Sequence, residues 1–140
     1  MNILINPLDY FNQDEKEKIN NILEELNTSL EEIFSSNNIN IALTGAFSQS
    51  GACVKTKNEF ILFLPGEVFY GSIIGKNIKI ALHELVHVWQ HSNRSLSFKF
   101  KTTIGNLIYK IYKCEFTYKI YRRSPGELEA NYFANKIYNF

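Results

Sequence analysis

The feature that most constrains this chain is the segment from Ala81 to Gln90, which reads Ala-Leu-His-Glu-Leu-Val-His-Val-Trp-Gln. Its apolar residues recur at helical spacing, so the segment predicts a helix with one face in the core. His83 and His87 are four residues apart and therefore lie on the same face of that helix. Two imidazoles placed in this way can bind one metal ion. Glu84 lies about 100° around the helix from His83, near enough to hold a water molecule on that ion.

Two other interpretations of this segment need no metal. A chain with three histidines and fourteen acidic residues contains the His-Glu-x-x-His pattern by chance in about one case in a hundred or fewer. The histidines could also be core residues that hydrogen-bond to the backbone. On the helical wheel, however, the three histidines and Glu84 form one narrow polar stripe on an otherwise apolar helix. Because a solvated stripe more often carries lysine, asparagine or glutamate, we favour the metal site.

A catalytic zinc site usually has three protein ligands, so a further ligand is needed. His91 lies about 12 Å from His83 along a continuous helix, too far to share an ion bound at about 2 Å. The carboxylates that follow the histidines are Glu115, Glu127 and Glu129. Glu115 is surrounded by lysines that it could simply neutralise. The other two begin a predicted helix and are better placed as ligands.

The choice between these two glutamates depends on the helical wheel. Glu127 falls on the edge formed by Ala130 and Ala134, where small residues let another helix approach closely. Glu129 falls on a different, aromatic edge of the helix. Ser124 followed by Glu127 is also the pattern of a capping box, which would give Glu127 a purely structural role. We favour Glu127 as the third ligand and keep Glu129 as the alternative.

Length and charge limit the classes of function. A chain of 140 residues with 45% hydrophobic residues is long enough for one domain with a real core, which we expect to span residues 1–140. The net charge of +1 gives no reason to expect nucleic-acid binding. Residues 1–35 carry a balance of −6 and residues 92–126 a balance of +7. These are either two solvated faces of opposite sign or, in the aromatic and basic segment 98–123, a partner surface.

The sequence also gives expectations about location. Its first residues lack the basic start and the long apolar run of a secretory signal, and no stretch approaches 18 apolar residues. We therefore expect a cytoplasmic protein without a membrane span, although export by a non-classical route stays open. Cys53 and Cys114 are expected to be reduced thiols, with a single bridge as the alternative.

Hydrophobic periodicity predicts an α+β fold. The sequence from 60 to 64 reads either as an edge strand that an extended substrate could pair with or as a buried central strand. The predicted elements are a helix from 12 or 13 to 35, strands at 40–44, 52–55 and 59–64, a short helix or irregular connector at 68–74, the motif helix from 76 or 77 to 91, a helix at 104–121, and a last helix from 125 to the C-terminus.

The motif His-Glu-Leu-Val-His at 83–87, together with Glu-Leu-Glu-Ala-Asn at 127–131, resembles the gluzincins. These are zinc peptidases with His-Glu-x-x-His on one helix and a glutamate on a later helix. The chain looks most like their minimal single-domain forms, the ImmA/IrrE-like group and the small zincin-like domains. The resemblance rests on about fifteen residues in two patches. It implies a zincin-like minimal domain with an N-terminal helix, a small, mainly antiparallel sheet, the motif helix and a C-terminal ligand helix.

The resemblance also implies roles for individual residues. His83, His87 and Glu127 would bind Zn²⁺, and Glu84 would activate a water molecule for hydrolysis of a peptide bond in a protein or peptide substrate. Asn131 would hydrogen-bond a ligand histidine, a task that the family usually gives to aspartate. Two alternatives remain: a catalytically silent, zinc-stabilised binding or regulatory module, and an effector or toxin peptidase with one narrow target.

Overall fold

The computed structural model describes residues 3–139, an α+β fold in which a small mixed sheet packs against helices. Three short 3₁₀ turns, at Pro7–Tyr10, Glu24–Leu26 and Lys136–Asn139, complete the chain. The six α-helices of the described residues are α1 (Gln13–Leu23), α2 (Leu30–Ser36), α3 (Ile78–Asn93), α4 (Leu96–Tyr112), α5 (Glu115–Arg122) and α6 (Pro125–Asn135). The strands are β1 (Ile3–Ile5), β2 (Ile39–Leu43), β3 (Ala52–Lys55), β4 (Phe60–Leu64), β5 (Glu67–Phe69) and β6 (Ser72–Ile74).

The main sheet has the strand order β1-β2-β4-β3, and its central pairing is parallel. Ile41 of β2 lies opposite Leu62 of β4 in that parallel pair, whereas the β1–β2 and β3–β4 pairs are antiparallel. The sheet is therefore mixed, with two antiparallel pairings on either side of a central parallel one. As a result Phe60–Leu64 is a buried central strand, and its interpretation as a substrate-pairing edge is wrong. The edge strands of this sheet are β1 and β3, and β3 is the one that contacts the motif helix.

Several predicted boundaries are wrong where the backbone turns left-handed. The single helix expected at 12–35 is divided at Asn27, whose φ is 55°. The helix expected at 104–121 begins earlier, at Leu96, and is divided at Lys113, whose φ is 44°. The segment at 68–74 is the hairpin β5–β6, with Gly71 at a φ of +80° in its turn. Asparagine and glycine adopt this conformation most readily, so Lys113 and Tyr70, the latter beside Gly71 with a φ of 49°, are the exceptions.

The motif helix α3 lies in the centre of the fold. It packs against β3 and β4 on one side and, most extensively, against α6 on the other. Leu82, Leu85 and Val86 on α3 are completely buried, as are Ala130 and Ala134 on α6. The small alanine side chains let the two helices approach closely, as the helical wheel predicts. Within residues 3–139, no helix combines the length and the apolarity that crossing a membrane requires.

Candidate metal centre

His83, His87 and Glu127 converge where α3 meets the start of α6. The Nε2 atoms of His83 and His87 lie 3.0 Å from Glu127 Oε2 and Oε1, respectively. The two Nε2 atoms lie 3.2 Å from each other. Among the described residues, these three side chains form a group that could hold a metal ion. The structure thus brings together the three residues that the sequence predicts as ligands.

The separations of these atoms fit a metal ion. Tetrahedral zinc with ligand distances of about 2.0–2.1 Å has neighbouring ligand atoms about 3.3 Å apart. The two Nε2 atoms are 3.2 Å apart, close to that edge length. The two contacts of 3.0 Å go to different oxygens of Glu127, and one ligand atom from each of the three residues lies within 4.8 Å of the others. Glu127 is 7% exposed, and although its burial raises its pKa, the hydrogen bonds with His83 and His87 outweigh burial and lower the pKa. The carboxylate is therefore held in the charged form that a metal ligand needs.

Gln90 fixes the orientation of one histidine. Its Nε2 donates to the backbone oxygen of Gly126 and to Glu129 Oε1, at 3.0 and 3.1 Å. Its Oε1 then faces His87 Nδ1 at 2.9 Å, so His87 carries its proton on Nδ1. The Nε2 of His87 hydrogen-bonds with Glu127, and loss of the Nε2 proton would leave a lone pair directed at the other two side chains of the group. An imidazole held in this way is prepared for a metal ion.

Glu129, the alternative ligand, lies outside the metal-binding group. Its carboxylate forms an ion pair with Arg94, with Nε and Nη2 at 3.0 and 2.5 Å from its two oxygens. Arg94 also lies 4.4 Å from the centroid of the Trp89 ring. Together with Gln90, this ion pair ties the end of α3 to α6. The structure therefore places Glu127 in the group that could hold a metal ion, and Glu129 in the contacts that join the two helices.

The hydroxyl of Tyr121 also reaches the metal-binding group. It donates a hydrogen bond of 2.9 Å to Glu127 Oε1. Burial raises the pKa of Tyr121, and the charge of Glu127 raises it further, so the phenol stays protonated. Tyr132, the other tyrosine near the ligand helix in sequence, is 56% exposed. Sequence proximity did not distinguish the two, because the difference depends on how α5 packs beside α6.

Glu84 lies beside the group without belonging to it. Its carboxylate is 3.9 Å from His83 Nε2, and the residue is 6% exposed. Burial raises its pKa, while the nearby His87 and His83 lower it in part. The backbone of Gly51 passes close by, since a Cβ atom at that position would lie 3.4 Å from Glu84 Cγ and 2.5 Å from a side-chain carbon of Ile80. Glycine at 51 thus lets the chain before β3 approach the carboxylate.

A cleft of about 450 Å³ opens beside these residues. One wall is the edge strand β3 with the preceding Gly51, and the facing wall is α4. Glu84, His87, Glu127 and Tyr121 line the cleft between them. The site is therefore open to a ligand that lies alongside β3, and it is large enough for several residues of an extended peptide.

The sequence analysis also made predictions about four other residues, and the structure places each of them as follows. His91 lies away from the metal-binding group, with its ring 5.3 Å from the ring of Phe60. Ser124 does not cap α6 with its side chain, which donates to Tyr121 O instead, so the capping box is wrong. Glu115 is exposed and lies 3.7 Å from Lys119. Asn131 makes no hydrogen bond with either ligand histidine within the described residues, and its predicted role stays a prediction.

The sequence analysis did not predict the contact between Gln90 and His87, although the sequence contains a reason to expect it. Gln90 lies three residues after His87 on the same helix, and side chains at that spacing are neighbours. Both Cys53 and Cys114 are free thiols, as expected.

The chain was compared with known proteins in three ways. No protein-family model, no curated protein and no solved structure matches it.

Proposed function

We propose that this protein is a zinc-dependent metallopeptidase of the gluzincin type. The observation that carries the proposal is the convergence of His83, His87 and Glu127 beside a buried glutamate, with Glu84, His87 and Glu127 lining an open cleft. Two histidines and a carboxylate are a common ligand set for catalytic zinc, which leaves one coordination position for water or substrate. A purely structural zinc site would have four protein ligands.

The residues around the site suit the hydrolysis of an amide. When bound, zinc supplies a Lewis acid that polarises a carbonyl and lowers the pKa of water to about 7. Glu84 would accept a proton from the attacking water and deliver it to the leaving amine, because its carboxylate lies 3.9 Å from a ligand atom and faces the cleft. Its burial excludes competing water from the carboxylate.

Tyr121 is the candidate for stabilising negative charge on the substrate oxygen. Its hydroxyl is protonated, lines the cleft and lies 2.9 Å from Glu127 Oε1. A donor of this kind, placed where charge develops, can contribute about 2.7–4 kcal/mol to catalysis. Substitution Tyr121→Phe should therefore lower kcat about 100-fold, with little change in zinc content, if the hydroxyl acts on the substrate.

The edge strand β3 suits an extended peptide. Because β4 occupies its other side, β3 offers one unpaired row of backbone donors and acceptors along the cleft. Peptides commonly add to such an edge through main-chain hydrogen bonds, with side-chain pockets providing the specificity. This placement would carry the scissile bond past Glu84.

The test is hydrolysis of a diverse pool of synthetic peptides by zinc-loaded protein, followed by mass spectrometry of the products. The wild type is compared with Glu84→Gln, which keeps the three candidate ligands, and with Glu115→Gln, which removes an exposed carboxylate that does not line the cleft. Cleavage by the wild type and Glu115→Gln, but not by Glu84→Gln, is the expected result. Equal cleavage by all three would show a contaminating protease and contradict the proposal. A pool also detects an effector peptidase that accepts only a narrow set of sequences.

A zinc-stabilised binding module is the second candidate. It is favoured by the outward face of α4, where Phe100, Ile104, Leu107 and Ile111 are 39–64% exposed at helical spacing. Exposed apolar rows of this length usually mark a contact surface. A binding module would need the metal ligands but not Glu84. Glu84→Gln would then leave partner binding and stability unchanged, whereas substitution of Glu127 would impair both.

A further inference from the structure

We infer that the cleft selects acidic peptides through two lysines that lie on either side of a histidine at one of its ends. The inference rests on the proposed function for the identity of the site as a peptide-binding cleft. It adds the chemistry of the substrate, which neither the metal centre nor the edge strand specifies.

The cluster, which we call the lysine end, consists of Lys55, His91 and Lys99. Lys55 comes from β3, and its Nζ lies 5.1 Å from the centroid of the Phe60 ring. That ring packs edge-on against the ring of His91, with centroids 5.3 Å apart. Lys99 comes from α4 on the facing wall and donates from Nζ to the backbone oxygen of His91 at 2.9 Å. Two different walls of the cleft thus bring cations to one place.

The lysines that line the cleft outnumber its carboxylates. The lining includes three lysines, Lys55, Lys99 and Lys110, and two carboxylates, Glu84 and Glu127, both at the metal centre. Within the described part of the chain, none of these lysines forms an ion pair with a carboxylate. A divalent ion at the metal centre would offset its two carboxylates and leave the lysines uncompensated. A ligand that carries carboxylates supplies the missing charge.

The lowered pKa of His91 agrees with the positive charge of the lysines around it. Partial burial lowers the pKa of His91, and the charges of Lys99 and Lys55 lower it further. Its ring is therefore neutral at physiological pH, and it can accept or donate a hydrogen bond beside the two cations.

The position of the lysine end predicts which part of a peptide it contacts. The backbone of Gly51 lies against Glu84, and Lys55 follows four residues later along β3. Four residues of an extended strand span about 13 Å. A peptide that pairs with β3 would thus place a side chain near Lys55 about four residues from the bond beside Glu84. Antiparallel pairing, the commoner arrangement, puts that side chain on the N-terminal side of the bond.

Binding of labelled peptides to zinc-loaded Glu84→Gln protein tests this inference without cleavage. The probes are three fluorescein-labelled dodecapeptides that share one apolar centre. The first has four glutamates at its N-terminal end, the second has four glutamates at its C-terminal end, and the third has glutamines at both ends. Fluorescence anisotropy gives each Kd. Two double variants are then made in the Glu84→Gln background. Lys55→Gln/Lys99→Gln removes the lysines of the cleft, and Lys57→Gln/Lys101→Gln is its control. Each control lysine lies two residues further along the chain, Lys57 in the turn after β3 and Lys101 on α4, and neither lines the cleft.

The expected result is tighter binding of the peptide with N-terminal glutamates. Removing both cleft lysines should weaken that binding about five-fold, the effect of two exposed ion pairs, and change glutamine-peptide binding less than about two-fold. The control pair should change neither. Equal affinity for the glutamate and glutamine peptides, or equal loss in both double variants, would overturn the inference. So would displacement of the peptide by a single-stranded oligonucleotide at a lower concentration than by unlabelled glutamate peptide.

Protein with Glu84 intact is incubated with the same peptides in parallel. A charge preference that depends on Lys55 and Lys99, without cleavage of any peptide, would contradict the proposed peptidase and support the acidic specificity of the cleft. Cleavage without a charge preference would support the peptidase and overturn the specificity. The two proposals therefore fail in different ways.

Discussion

Substitution of Gln90 by alanine should separate support of the metal centre from metal ligation itself. Gln90 is 4% exposed and joins three groups through one amide: His87, the backbone oxygen of Gly126, and Glu129. Alanine at this position removes all three hydrogen bonds without touching a ligand. The proton of His87 on Nδ1 then has no fixed acceptor, and the buried oxygen of Gly126 keeps only its helical donor, the N–H of Ala130.

The size of the effect follows from these contacts. A buried polar group that loses its partner costs about 1–3 kcal/mol. Glu129 keeps its ion pair with Arg94, the oxygen of Gly126 keeps its helical donor, and water in the cleft can reach His87, so no group is left wholly without a partner. We expect the free energy of unfolding of the metal-free protein to fall by about 1–2 kcal/mol. We also expect zinc affinity to fall by about 10–100-fold, as for other side chains that orient a ligand histidine.

Asn131→Ala is the matched control. The family resemblance gives Asn131 the task that the structure gives to Gln90, and the two substitutions remove amides of similar size. Urea unfolding in the presence of a chelator measures stability, and competition with a chromophoric chelator measures zinc affinity. Asn131→Ala should change stability by less than about 0.5 kcal/mol and zinc affinity by less than about two-fold. A large loss of zinc affinity in Asn131→Ala, with none in Gln90→Ala, would refute the reasoning.

Two further predictions concern close packing and the thiols. A Cβ atom at Gly126 would lie 2.6 Å from Thr102 Oγ1, so Gly126→Ala should lower the free energy of unfolding by about 1–3 kcal/mol in urea. At Gly105 the nearest atoms are 3.4–3.6 Å away, so Gly105→Ala should stabilise the helix by up to about 1 kcal/mol, and an equal loss in both variants would contradict this packing. Burial raises the pKa of Cys53 to about 12, whereas a side-chain hydrogen bond lowers the pKa of the exposed Cys114. Iodoacetamide at pH 8 should therefore alkylate Cys114 at least about ten times faster, as measured by peptide mass spectrometry, and similar rates would disprove it.

The proximity of the candidate ligands could be predicted from the sequence because local geometry fixes most of it. Helical spacing alone puts His83 and His87 on one face. The alanines at 130 and 134 mark the edge of α6 that approaches α3, and Glu127 lies on that edge. That these residues bind zinc, and that Glu84 activates water, stay predictions.

The supporting contacts could not be predicted, because they depend on packing between elements that are distant in the sequence. Tyr121 reaches Glu127 only because α5 turns back beside α4 after Lys113. The parallel pairing of β2 with β4 depends on the path of β3, and periodicity carries no information about strand order. The capping pattern at Ser124 was misleading because Glu127 turns toward the histidines instead of the helix end.

The central claim is that His83, His87 and Glu127 bind zinc, and metal content tests it most directly. Freshly purified wild type, Glu127→Gln and Glu129→Gln are each reconstituted with zinc, dialysed and measured by atomic emission. The two glutamates lie two residues apart on the same helix, but only Glu127 contacts the histidines. We predict one zinc ion per chain in the wild type and in Glu129→Gln, and a large loss in Glu127→Gln. Wild-type protein without stoichiometric zinc after reconstitution would contradict the metal centre and, with it, the proposed peptidase.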